Sequence, residues 1–132
     1  MAIRIVRLGS PRAADEGLRI GTVRRPPRGV PKNEFATRNF YDVWLPELSP
    51  SAETVSAAMA GEWTPAKWKK FVSTYVREMS VPASKHMIAT LAALSHQTNF
   101  AVGCYCEDEG RCHRSVLRDL LIGEGGRVRR DE

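Results

Sequence analysis

The order of apolar segments predicts an α/β fold: a small layered sheet of about three to four strands with helices packed on it. Two observations carry this. Strand-like segments stand near both ends of the chain, with three helix-like segments between them. The chain then returns to the sheet through an apolar run, Asn99 to Tyr105, which leads into a short polar loop and a last helix.

Each element has its own signal. Ile3 to Leu8 alternates apolar and basic residues and reads as a strand. Gly9 to Gly17 is a polar loop, and Leu18 to Val23 is a second short strand that pairs with the first as a hairpin-like unit. Arg24 to Pro31 contains Pro26, Pro27 and Pro31 around Gly29, so it is neither helix nor central strand but an extended loop bearing Arg24, Arg25 and Arg28. Ser49 and Pro50 mark a helix start, with the helix running to about Ala60. Thr64 and Pro65 repeat that signal for a helix to Met79, on which Trp68, Phe71, Val72, Tyr75 and Met79 recur at helical spacing. That stripe reads as core, and Trp63 and Trp68 are expected to pack together. Ser80 and Pro82 open a third helix with Met87, Ile88, Leu91 and Leu94 on one face. Asn99 to Tyr105 is the third strand, parallel to one of the first two, and His113 to Ile122 the last helix, stopped by Gly123. Residues 1–123 thus form one domain, and residues 124–132 a charged tail that is frayed or forms a short edge strand.

Length and composition set the class. A chain of 132 residues makes one domain and buries a core without staples. No apolar run approaches the roughly 18 residues of a membrane span. Three cysteines, odd in number and clustered, do not form a secreted disulfide framework. The expectation is a cytoplasmic protein with reduced thiols, no membrane partner and no cofactor. The formal charge is +5, concentrated between Arg19 and Arg38, where Arg19, Arg24, Arg25, Arg28, Lys32 and Arg38 face a single acid, Glu34. Such a patch favours an anionic small molecule or nucleic acid, although a solvated surface explains it as well.

The candidate site is Cys104-Tyr105-Cys106-Glu107-Asp108-Glu109-Gly110-Arg111-Cys112-His113-Arg114-Ser115, which holds every cysteine of the chain. A strand-loop-helix junction presents backbone N–H groups and the helix dipole to the loop, which suits thiolates and anions. Strand alternation puts Cys104 and Cys106 on one face, with Cys104 the deeper. Cys106 and the Arg114 region resemble the loop of thiol phosphatases in layout only, since the position six after Cys106 is Cys112 and not arginine. His86 and His96 are read as ordinary surface or core histidines.

Several segments together resemble the domain-of-unknown-function 488 family, also called YeaO-like. They are Arg19-Ile20 with Arg24, Pro27-Arg28-Gly29 with Lys32, Trp44, Ser49-Pro50-Ser51, and Phe71, Tyr75 and Glu78. Cys106-Glu107 with Cys112-His113-Arg114 resembles the pattern of the family's other branch. The resemblance covers about Ile3 to Leu121. Val23 and Pro26 stand where the pattern usually has Asp and Trp. The resemblance implies a fold and a site but no activity.

Three readings follow from the residues. In the first, the chain is a thiol-dependent enzyme on an anionic, nucleotide-related substrate. Cys106 or Cys112 is then the nucleophile or redox thiol, His113 its base or ion-pair partner, and Arg24, Arg28, Arg114 and Ser115 hold the anion. In the second, the chain is a non-catalytic nucleic-acid-binding module, and Arg114 is a buried anchor for loop carbonyls. In the third, Cys104, Cys106, Cys112 and His113 bind zinc. The last ranks lowest, because the spacing lacks the usual separated pairs and adjacent Cys112 and His113 point in different directions from a helix.

Overall fold

The computed structural model describes residues 1–129 of the chain. Strands β1 (Ile3–Arg7), β2 (Leu18–Gly21), β3 (Val43–Trp44) and β4 (Phe100–Cys104) form one sheet. Helices α1 (Ala52–Met59), α2 (Pro65–Glu78), α3 (Pro82–Leu94) and α4 (His113–Gly123) pack around it, and short 3-10 turns fill the connections. This is the α/β fold the sequence predicts.

The strand order is β1-β4-β2-β3, with every pairing parallel. The first two strands are therefore not a hairpin-like unit: β4 lies between them, with Ile5 and Ile20 both opposite Val102. The physical reason lies in composition. Every residue of β4 is buried, which suits a central parallel strand covered on both faces. β1 carries Arg4 and Arg7, which suit an edge. β4 also needs Gly103, because a Cβ there would stand 2.5 Å from the Val6 carbonyl oxygen. β3 has no counterpart in the sequence reading. It is two exposed residues long, too short to show a period.

The helices keep their expected faces but not every expected cap. Phe71, Tyr75 and Met79 are buried, with Ile88 and Leu91 of α3 and Val116, Leu117 and Leu121 of α4, against Ile3, Ile20, Phe100 and Val102 of the sheet. Leu94 lies exposed at the end of α3. Thr64 caps α2 by accepting from the Lys67 N–H at 3.1 Å. The cap of α1 is Ser51 rather than Ser49: its Oγ accepts from the Thr54 N–H, while Ser49 Oγ closes the preceding turn on the Pro46 carbonyl at 2.6 Å. Ser80 does not cap α3, because its hydroxyl turns back to the Val76 carbonyl at 2.9 Å. Trp63 and Trp68 part company as well. Trp68 stacks on Phe71. Trp63 lies under the Arg111 guanidinium, 4.3 Å from the ring centre.

The polar loop after β1 is held by Arg19, which is wholly buried. Its guanidinium donates to both Glu16 carboxylate oxygens at 2.7 and 2.9 Å and to the Ser10 and Asn39 carbonyls at 2.8 Å. Burial pushes the Glu16 carboxyl up, but the hydrogen bond and charge of Arg19 pull it further down, to a net value below the usual range. Arg19 thus leaves the basic patch and belongs to the interior.

At the other edge of the sheet the tail closes on β1. Val128 bridges Ile3 in parallel, with Ile3 N–H donating to Arg127 O and Arg129 N–H to Ile3 O. The tail's last three residues lie outside the described residues. Among those described, no helix is long and apolar enough to cross a membrane.

Candidate functional site

Because the strands are parallel, the ends at Arg7, Gly21, Trp44 and Cys104 open on one edge of the sheet. Ligands of open α/β sheets bind at such an edge. The loops that follow β2, β3 and β4 border an open cavity of about 320 Å³ there, lined by Val23, Arg24 and Arg25, by Ser49 and Pro50, by Val55 and Ser56 of α1, and by Cys104, Tyr105, Cys106 and His113. An adjoining hollow of about 610 Å³ is lined by Arg25, Pro26, Pro27, Arg28, Phe40 and Tyr105. Arg25 and Tyr105 are shared by both, and the Tyr105 hydroxyl donates to the Arg25 carbonyl at 2.9 Å.

The walls are fixed by side chains bonded to backbone. Arg24 donates to the Pro50 carbonyl at 3.2 and 3.3 Å and to the Ser49 carbonyl at 3.3 Å, which ties the proline loop to the start of α1. Glu78 at the end of α2 accepts from the Ser51 N–H and hydroxyl and from the Thr54 hydroxyl, at 3.0, 2.7 and 2.7 Å. Burial raises the Glu78 carboxyl, and these bonds outweigh it to hold the group below its usual value.

The sulfur atoms converge. The Sγ atoms of Cys104, Cys106 and Cys112 all lie within 4.8 Å of one another. Cys104 and Cys112 are buried and their sulfurs are in direct contact, where the sequence reading has reduced thiols; Cys106 is exposed and unpaired. The Cα atoms of Cys104 and Cys112 are 8.0 Å apart, beyond the about 7 Å at which a disulfide demands backbone movement. Although the Cys106 side chain is exposed, the protein around it strips water from the thiol and pushes it up, more than the charges of Arg114 and Arg7 lower it.

His113 is the first residue of α4 and is buried. Its Nε2 is 2.7 Å from the Thr22 carbonyl oxygen, which can only accept, so Nε2 carries the proton. Nδ1 is then a bare lone pair, 3.8 Å from Cys112 Sγ. Burial, only partly offset by the Thr22 carbonyl, pushes the imidazole down to about 4, so it is neutral at pH 7. Cys112 is not helical. As the residue before α4 it has extended angles, φ −132° and ψ 149°, and its Sγ stands 3.8 Å from His113 Nδ1.

Arg114 and Ser115 sit behind this layer. Arg114 is buried, and its guanidinium donates to the Cys106 carbonyl at 2.6 Å, the anchoring role of the binding reading. Ser115 Oγ donates to the Cys112 carbonyl at 3.0 Å. Neither lines the cavity. Arg24 does, with Cys106 and His113, while Arg28 lines the adjoining hollow. Two acids of the loop are paired: Glu107 with Arg7 at 3.4 Å and Asp108 with Arg111 at 3.6 Å. The sequence reading missed Thr22, Tyr105 and Phe40. Thr22 carries no motif, since it acts through its carbonyl. The two aromatics look like core residues in a linear reading.

A family model described as the active DUF488-N3 subclade matches residues 3–125, and the chain belongs to the DUF488 family. No curated protein and no solved structure matches it.

Proposed function

We propose that this DUF488 protein is a thiol-dependent enzyme that takes an anionic, nucleotide-related substrate into the cavity at the C-terminal edge of the sheet. The observation that carries this reading is that Cys106, His113, Arg24 and Arg25 line one open cleft. Cys106 is the exposed and unpaired thiol, so it is the one a substrate meets. Arg25 and Arg28 supply charge, since the guanidinium of Arg24 is engaged with carbonyls of its own chain. Arg114 and Ser115 support the loop rather than touch the substrate. The word "active" in the family description accords with a catalyst.

Residue-resolved alkylation with iodoacetamide in the folded protein tests the reading. Cys106 should react first and Cys104 and Cys112 only on unfolding, with inorganic pyrophosphate slowing Cys106. Inert thiols throughout would remove the enzyme. The runner-up, a nucleic-acid-binding module, draws on Phe40 and Tyr105 beside Arg25 and Arg28, rings and cations suited to stacked bases. It would lead if single-stranded DNA bound with steep salt dependence while Cys106 stayed inert.

A further inference from the structure

We propose that Cys104, Cys106 and Cys112 form a metal site that takes one soft divalent ion, zinc by its chemistry, at the floor of the cavity. Their sulfur atoms stand within 4.8 Å of one another. Tetrahedral zinc with Zn–S bonds of about 2.3 Å sets its sulfurs about 3.8 Å apart, so small side-chain shifts complete the set. The alternative use of the two buried sulfurs, a disulfide, meets Cα atoms 8.0 Å apart. An ion between the sulfurs spans that gap without drawing the backbone in.

The surroundings fit ligands rather than a closed bridge. Cys104 and Cys106 both line the cavity, so an ion they hold is reached from it. His113 presents Nδ1 toward Cys112 Sγ at 3.8 Å while Nε2 is committed to the Thr22 carbonyl at 2.7 Å. That carbonyl bond is the partner that fixes tautomer and ring in metal-binding histidines. His113 is therefore oriented to serve as a fourth ligand or to leave that position to substrate. The sequence objection, that Cys112 and His113 diverge, falls with the observed 3.8 Å between Cys112 Sγ and His113 Nδ1.

The inference deepens the thiol reading and rests on it only for the role of the ion: metal coordination deprotonates a bound thiol and so activates Cys106. The site itself stands alone. Where Cys104 and Cys112 are joined, a dithiol, or a phosphine with water, must first supply two electrons and two protons to give two thiols. The dication then displaces the three thiol protons to solvent, with no further redox change.

The test is cobalt titration of the full chain, reduced with a phosphine under anaerobic conditions, followed by zinc competition. Wild type should give a thiolate-to-cobalt charge-transfer band that saturates at one ion per chain and is abolished by zinc. Cys106→Ser replaces an exposed residue and should keep the melting temperature of the metal-free protein while weakening zinc affinity at least about tenfold. His113→Asn should change the band shape if Nδ1 is a ligand and leave it if substrate takes that position. No band, or equal zinc affinity in Cys106→Ser, overturns the site. So does a Cys104–Cys112 disulfide that survives the reductant in folded protein. Absence of metal with a reactive Cys106 would remove this inference and leave the enzyme. Bound metal with no pyrophosphate protection would do the reverse.

Discussion

Two regions of this small fold are held by different physics. Under the helices, Ile3, Ile20, Phe71, Tyr75, Phe100, Val102, Leu117 and their neighbours form an apolar core. At the C-terminal edge, Leu8, Val23, Tyr41, Cys104 and Cys112 form a smaller cluster whose shape depends on polar side chains gripping backbone. Arg19, Arg24, Trp44 and Arg114 each donate to carbonyls of other segments there or beside it. The first region needs only apolar side chains of the right size, and many sequences satisfy it. The second is specified bond by bond, as a site must be. It also retains two buried polar atoms without a hydrogen-bond partner, Tyr41 Oη and Arg114 Nε.

That contrast can be broken first at Arg19. Arg19→Met leaves the buried Glu16 carboxylate without its ion-pair partner, with only the Ala13 N–H at 3.3 Å still donating to it, and should cost about 3–5 kcal/mol in urea unfolding. A loss under about 1 kcal/mol would mean that the polar edge is not held by this pair.

Glu78 sharpens the comparison, because it joins the two regions. Its folded carboxyl lies below the ordinary 4.5, so it stabilises the protein above the unfolded value, and that contribution is lost as pH falls through the folded one. Glu78→Gln should cost about 1–2 kcal/mol at pH 7, through bonds to a charged acceptor. The gap from wild type should shrink on acidification below pH 4.5. An unchanged gap would show that packing, not charge, holds Ser51.

The smallest effect is expected at Trp63. Trp63→Ala removes the ring under Arg111, an exposed pair, and should cost about 0.5–1 kcal/mol. Thermal melting with Arg111→Ala and the double variant would isolate the coupling.

The helix-covered face was legible because periodicity reports it directly. Phe71, Tyr75 and Met79 recur one turn apart, and Thr64-Pro65 marks the start of α2. The all-apolar β4 could be read too, but its place between β1 and β2 could not, since strand order is a matter of contacts far apart in sequence. At the edge, chemistry was legible and direction was not. Cys106, Cys112, His113 and Arg24 could be singled out as residues. That Arg114 anchors a loop carbonyl was one of the two roles read for it, whereas the interior place of Arg19 depends on carbonyls no linear pattern displays. The convergence of the sulfurs was half visible. Alternation puts Cys104 and Cys106 together, while Cys112 joins them through an extended residue ahead of α4.

The claim that joins these observations is that the edge cavity presents Cys106 to an anion. The most direct measurement compares the rates at which folded protein is alkylated at Cys106 by iodoacetate, which is negative, and by iodoacetamide, which is neutral. The account predicts a rate ratio favouring iodoacetate that falls several-fold in Arg25→Ala/Arg28→Ala and with added salt. A ratio unchanged by that double substitution and by salt would contradict it.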